Sequence, residues 1–262
     1  MKKKIIISDY GWLPENIEES WISKTKFEFQ IYDKKHRLNL NKYKEVVYQK
    51  NVGQNIYDIL DHIIKNYYNL DDITIFCRGC ILFPKNRKKP LSNGNCSEKK
   101  FFKLIQKEKF TEIHDYENEK QNGKSSYISK DGGYYEKNTS WYLRKHKPKF
   151  FITFNLFMNY MFSNYINLNY IRFSPGAAYL IPKKNILFYD IRFYKIIKKF
   201  VSWGVVVGDA HTVERALYYI FANTYSQRKS YSIIYLFVNR LLVFTIFYFI
   251  YMPIEIILKL IR

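Results

Sequence analysis

The chain has 262 residues, enough for one sizeable core plus an appendage, and its hydrophobic share of 47% and aromatic share of 19% exclude a disordered protein. Its formal net charge of +20 has two readings. Lys, Ile, Asn, Tyr and Phe abound and have A/T-rich codons, so genome composition supplies lysine; alternatively the surface attracts phosphates, nucleotides, acidic glycans or an anionic membrane.

The three cysteines, Cys77, Cys80 and Cys96, are too few and too odd for a disulfide framework and suit a reducing compartment. Met1 to Ser8 carries too short an apolar run for a signal peptide, so the sequence predicts a cytoplasmic chain.

Ile5 to Ser8 reads as a buried strand ended by Asp9-Tyr10-Gly11, and Pro14 to Trp21 as a helix opening rich in acids. Phe27 to Tyr32 and Glu45 to Gln49 read as strands. After the loop Asn51-Val-Gly-Gln-Asn55, Ile56, Leu60, Ile63, Ile64 and Tyr67 recur at helical spacing, and Ile73 to Phe76 is another apolar strand. Strand, helix and strand in alternation predict a layered α/β fold with parallel pairs.

From Pro84 to about Lys149 the chain is polar and punctuated by Asn93-Gly94, Asn122-Gly123 and Gly132-Gly133. This predicts a loop-rich insertion over one face. Phe150 to Tyr165 returns to helical periodicity. Ile171 to Ile181 reads as strand, turn and strand around Phe173-Ser-Pro-Gly-Ala-Ala178, and Asp190 to Phe200 and Thr212 to Phe221 as helices. One domain over residues 1–229 is expected, with residues 230–262 as an apolar, basic tail. Leu241 to Met252 has no charge, Arg240 and Pro253 bound it, and Arg228, Lys229, Lys259 and Arg262 lie around it. A spanning helix needs roughly 20 apolar residues, so the tail reads as a segment lying on an anionic membrane. A core helix or a homo-oligomer interface is the alternative.

Asn51-Val-Gly53, the amphipathic helix and Asp71-Asp72-Ile-Thr-Ile-Phe76-Cys-Arg-Gly79 together resemble the nucleotide-binding half of GT-A glycosyltransferases. The chain is also similar to the DUF3431 family of uncharacterised proteins. That likeness rests on Asn51-Val-Gly53, Ile75 to Gly79, Phe173-Ser-Pro-Gly-Ala177 and Glu214-Arg215-Ala-Leu217, over roughly residues 5–225. The resemblance implies a GT-A-like, Rossmann-like mixed sheet flanked by helices, and a nucleotide-sugar donor with a glycan or lipid-linked acceptor. Where a metal-dependent GT-A enzyme carries Asp-x-Asp, this chain has Cys77-Arg78-Gly79-Cys80. A metal-independent transferase with no cofactor is therefore expected. Arg78 beside Gly79, or Lys85, Arg87 or Lys88, would neutralise the leaving diphosphate. An ion pair of Arg78 with Asp71 or Asp72 is the structural alternative.

Gly208-Asp-Ala-His-Thr-Val-Glu-Arg215 is the densest cluster of reactive groups. Glu214 or Asp209 could take the acceptor proton, with His211 orienting the acceptor and Arg215 contacting substrate. As plain structure, Asp209 caps the helix and Glu214 and Arg215 pair at the surface. Gly176, with Ser174, would lie beside the sugar or merely turn the chain. Asn51 and Gly53 would meet the nucleotide at a helix N-terminus or simply cap it. For zinc, Cys77-x-x-Cys80 would need two further ligands, with Cys96 and His114 as the candidates, and as a redox pair it should open a helix, whereas Ile81-Leu-Phe-Pro84 follows. Lysines and aromatics interleave at Lys99 to Lys103 and Trp141 to Phe151, a pattern for nucleic acid, without any accompanying recognition motif. A non-catalytic membrane-surface protein is the third class.

Overall fold

A computed structural model describes residues 1–82, 96–116, 125–246 and 249. Strand β1 (Lys3–Asp9) is followed by two short 3-10 turns, then β2 (Glu28–Asp33), β3 (Val46–Tyr48), helix α1 (Gln54–Asn66) and β4 (Ile73–Arg78). Next come α2 (Glu98–Leu104), β5 (Thr111–Glu112), β6 (Ser126–Ile128), β7 (Tyr134–Lys137), α3 (Tyr142–Lys145) and α4 (Phe154–Met161). The chain then forms β8 (Tyr170–Arg172), β9 (Tyr179–Pro182), α5 (Lys183–Ile186), α6 (Ile191–Val201), α7 (Gly208–Phe221) and α8 (Ile233–Thr245).

The main sheet has six strands in the order β3-β2-β1-β4-β9-β5. The first four run parallel, β9 is antiparallel to β4, and β5 is antiparallel to β9. The fold is a mixed α/β sheet flanked by helices. The period-2 alternation of β1 explains the two cores: Ile5 and Ile7 face Leu13, Ile17, Trp21 and Phe101, while Ile6 faces α1, α4, α6 and α7. The helices form where their sequences start them. Asp190 accepts the Phe193 N–H at 2.8 Å at the head of α6, and Ser232 accepts the Tyr235 N–H at 3.1 Å at the head of α8.

Two regions differ from the sequence reading. Pro14 to Trp21 forms no α-helix but the turns Ile17–Glu19 and Trp21–Lys24, with Trp21 seated edge-on against Phe101, 5.1 Å between ring centroids. The polar segment after Pro84 is not loop alone: β5 completes the main sheet, and β6 and β7 form a three-stranded antiparallel sheet with β8. Residues 171–181 form the expected strand, turn and strand, with β8 in the small sheet and β9 in the large one. The turn between them therefore ties the two sheets together. Among the described residues no helix is long and apolar enough to cross a membrane.

Candidate functional site

Parallel strands joined by crossovers leave their connecting loops at the carboxyl edge, where side chains from several loops converge. A cavity of about 650 Å³ opens there. Tyr10 and Trp12 reach it from just past β1, Lys35 from just past β2, Asn51 from the loop after β3, Gln54 and Asn55 from the start of α1, and Arg78 and Cys80 from the end of β4. The opposite wall is Pro175-Gly176, the start of α7 with His211, Glu214 and Arg215, the small sheet with Glu136, and Val205-Val206.

At the sheet edge, buried carboxylates shape the loops. Asp9 accepts the N–H groups of Gly11, Trp12 and Leu13, and Asp33 accepts those of Lys35, Arg37 and Leu38. Lys34 lies beneath the Asn51 loop, donating to the Val52 and Gln54 carbonyls at 2.9 and 2.7 Å and pairing with buried Asp58 at 3.1 Å. Burial pushes the Asp58 carboxyl up to about 7 despite the opposing pull of Lys34. Gly53, at φ +57°, has its α-carbon against the Val201 carbonyl oxygen, so a Cβ there would overlap that oxygen. It fixes the loop to the chain after α6 and does not line the cavity. Gly79 likewise lies against Asp9 and Leu13 and donates its N–H to the Ser8 carbonyl, outside the cavity lining.

Three polar atoms in the cavity lining are buried without a hydrogen-bond partner: Tyr10 Oη, Asn51 Oδ1 and Arg78 Nη2. Arg78 makes no ion pair among the described residues. The anticipated partners are engaged elsewhere, Asp71 with the Lys2 ammonium at 3.1 Å and Asp72 with the Lys2 N–H at 2.8 Å. Lys85, Arg87 and Lys88 lie outside the described residues.

The α7 wall is tightly wired. Glu214 Oε1 accepts the Gly176 N–H at 2.6 Å, and its Oε2 is 3.6 Å from His211 Nδ1 and 3.6 Å from Arg215 Nη1. Burial alone would raise the Glu214 carboxyl, but His211, Arg215 and the Gly176 N–H outweigh it and hold the group down to about 2. Gly176, at φ +84°, is held from the other side by Asn55, which donates to its carbonyl at 2.8 Å. His211 Nε2 is 3.4 Å from Gln54 Nε2, and its ring stacks on His146 with 4.5 Å between centroids. Arg215 forks onto Glu136 at 2.9 and 3.1 Å and lies over the Tyr142 ring at 4.0 Å. It therefore braces α7 against the small sheet as well as bordering the cavity.

Two candidates sit elsewhere. Asp209 is buried and accepts the Lys149 and Phe150 N–H groups at 2.7 and 3.2 Å and the Trp203 indole at 3.1 Å. It anchors the segment before α4 and neither caps α7, which Val207 precedes as N-cap, nor reaches the cavity. Ser174 is fully buried, its hydroxyl donating to the Ile113 carbonyl at 3.2 Å. The cavity thus unites Asn51, Arg78, Gly176, His211, Glu214 and Arg215 but not Gly53, Gly79, Ser174 or Asp209.

Tyr10, Gln54 and Glu136 were not anticipated. Tyr10 could have been picked from its place just past a strand's carboxyl end, whereas Glu136 meets Arg215 across 79 residues with no local signal. Cys80 borders the cavity with its thiol pushed up by burial, and Cys77 is buried in the core. No group of three or more potential metal-binding side chains converges among the described residues. No family model, curated protein or solved structure matches this chain.

Proposed function

We propose that the cavity binds a nucleotide-activated sugar and transfers the sugar to an acceptor hydroxyl, in a GT-A-like arrangement. The observation that carries this reading is that three residues lining the same cavity as the His211–Glu214 pair, Arg78, Tyr10 and Asn51, each keep a buried polar atom without a hydrogen-bond partner: Nη2, Oη and Oδ1. Buried polar groups are nearly always satisfied in a working protein, so these atoms call for a polar ligand. A cationic fork, a hydroxyl and an amide at the carboxyl ends of parallel strands suit a diphosphate and its nucleoside. The order of parallel strands β3-β2-β1-β4 next to antiparallel β9 supports the same reading.

Arg78 would neutralise the departing diphosphate in place of a metal held by two acids, which Cys77-Arg78-Gly79-Cys80 does not provide. Glu214, held at about 2, is a weak base at neutral pH. We therefore assign the base to His211 and its orientation to Glu214. The acceptor oxygen bonds to the anomeric carbon as its proton passes to the imidazole. The bond from that carbon to the diphosphate breaks, and its electron pair leaves with the diphosphate. Residues beyond the cavity would hold the enzyme peripherally on the cytoplasmic face of a membrane, where a glycan or lipid-linked acceptor is presented. A thermal-shift screen of UDP- and GDP-sugars tests the reading. At least one should raise the melting temperature, EDTA should leave the shift intact, and Arg78→Ala should abolish it. A flat screen with the folded chain overturns it.

A further inference from the structure

We propose that the outward face of α8 docks on an anionic lipid bilayer, with the cationic groove beside it seating lipid headgroups. The helix is amphipathic in the wrong sense for water. Ile233, Phe237 and Leu241 form one exposed row and Ile234, Val238 and Leu242 the next, while the row turned to the protein contains Tyr235, Asn239 and Val243. A polar asparagine is thus buried, only 2% exposed, while Ile233 and Ile234 are 83% and 76% exposed. A contiguous apolar stripe of that kind marks an interaction surface.

The charge beside the stripe identifies the occupant. A groove of about 510 Å³ runs along the helix, lined by Phe237, Arg240 and Leu241 on one side and by Lys147, Lys149 and Trp203 on the other. Its lining includes three basic residues and no acidic one. Between residues 228 and 246 the sequence likewise contains no acid. Apolar side chains flanked by lysine, arginine and tryptophan match the boundary between acyl chains and anionic headgroups. The 13 residues of α8 extend over about 20 Å with the cationic groove running beside them, the arrangement of a helix lying along the interface.

The same docking orients the catalytic cavity. Trp203 lines the groove, and Val205 and Val206, two and three residues on, are half-exposed at the cavity rim. A bilayer under α8 therefore lies next to the rim, and a lipid-anchored acceptor is the class this geometry serves. That last step rests on the proposed transfer reaction; the docking does not.

The test is sedimentation of the full chain with vesicles of phosphatidylcholine alone and with added phosphatidylglycerol. The wild-type chain should bind the anionic vesicles, with affinity falling as salt rises. A Lys147→Glu/Lys149→Glu/Arg240→Glu variant and a Phe237→Ser/Leu241→Ser variant should each bind more than about tenfold more weakly. Their circular-dichroism melting curves should match wild type, since all five side chains point outward. Absence of vesicle binding, equal binding to both vesicle types, or a chain that dimerises through α8 and ignores lipid overturns the proposal. Vesicle binding without any nucleotide-sugar response would sink the transfer reading and leave the docking standing.

Discussion

The Gly176 N–H donates to Glu214 Oε1 at 2.6 Å, so the turn that links the small sheet to the large one is fastened to the second turn of α7. The same carboxylate faces His211 and Arg215 through its other oxygen. Replacing it by glutamine keeps the shape but removes the charge that His211 and Arg215 face. At pH 7, Glu214→Gln should cost about 1.5–3 kcal/mol, as for a lost hydrogen bond to a charged group. The folded-state pKa lies below the ordinary 4.5, so the stabilisation is complete above that value and disappears as pH falls through about 2. Urea unfolding of both proteins at pH 7 and pH 3 should show the gap narrowing at the lower pH. A gap that stays constant would mean the charge contributes nothing.

Binding and chemistry should separate between the two walls. The Arg78 side chain, at the end of β4, makes no ion pair among the described residues and its Nη2 has no hydrogen-bond partner, so Arg78→Ala should leave stability almost unchanged and abolish the donor-induced thermal shift. His211→Ala should keep that shift and slow transfer by about 10²–10⁴-fold, the range for a general base. Calorimetric titration with the responding nucleotide sugar, alongside a transfer assay, checks both. A His211→Ala enzyme with full turnover would move the base elsewhere.

The main sheet was readable because its strands carry their own evidence. Ile5 to Ile7 and Ile73 to Ile75 are apolar runs flanked by turn residues, and α1 repeats its apolar stripe over three turns. The small sheet was not readable. Tyr134 to Lys137 has no clean alternation, and besides the adjacent Ser126 to Ile128 it pairs with Tyr170 to Arg172, which is distant in sequence. At the site, Asn51 and Arg78 were legible because each sits beside an element boundary, and Glu214 because it lies in a dense local run of reactive side chains. Asp209 misled because its environment is tertiary: the N–H groups it accepts come from residues about 60 positions away.

Asp209 gives a prediction of the opposite sign to Glu214. Burial raises its carboxyl to about 6, although the Lys149 and Phe150 N–H groups and Trp203 pull it back. A raised folded-state pKa means the native state holds the proton more tightly. Its stabilising share is therefore present below about pH 4 and is lost as pH rises through about 6. Asp209→Asn should flatten that slope and leave the transfer reaction intact, because the side chain does not line the cavity. Denaturant melts at pH 4 and pH 7, with a transfer assay at pH 7, measure the two effects. Loss of turnover in a stably folded variant would return Asp209 to the chemistry.

Lys34 and Asp58 make the loop before α1 dependent on a fully buried ion pair. Asp58→Ala removes the carboxylate paired with the Lys34 ammonium and leaves it the Val52 and Gln54 carbonyls and the Tyr10 and Tyr57 rings, and a buried charge that has lost its partner costs about 3–5 kcal/mol. Lys34→Met with Asp58→Leu removes both charges and should cost less than the single change, since two apolar side chains need no partner there. The double variant nevertheless frees the two carbonyls that hold Asn51 and Gln54 at the cavity. Donor affinity should therefore fall in the double variant even where stability recovers. Urea titration of the three proteins separates the charge penalty, and calorimetry with the nucleotide sugar reads the loop. A double variant that binds donor as tightly as wild type would show that Lys34 supports the fold and not the site.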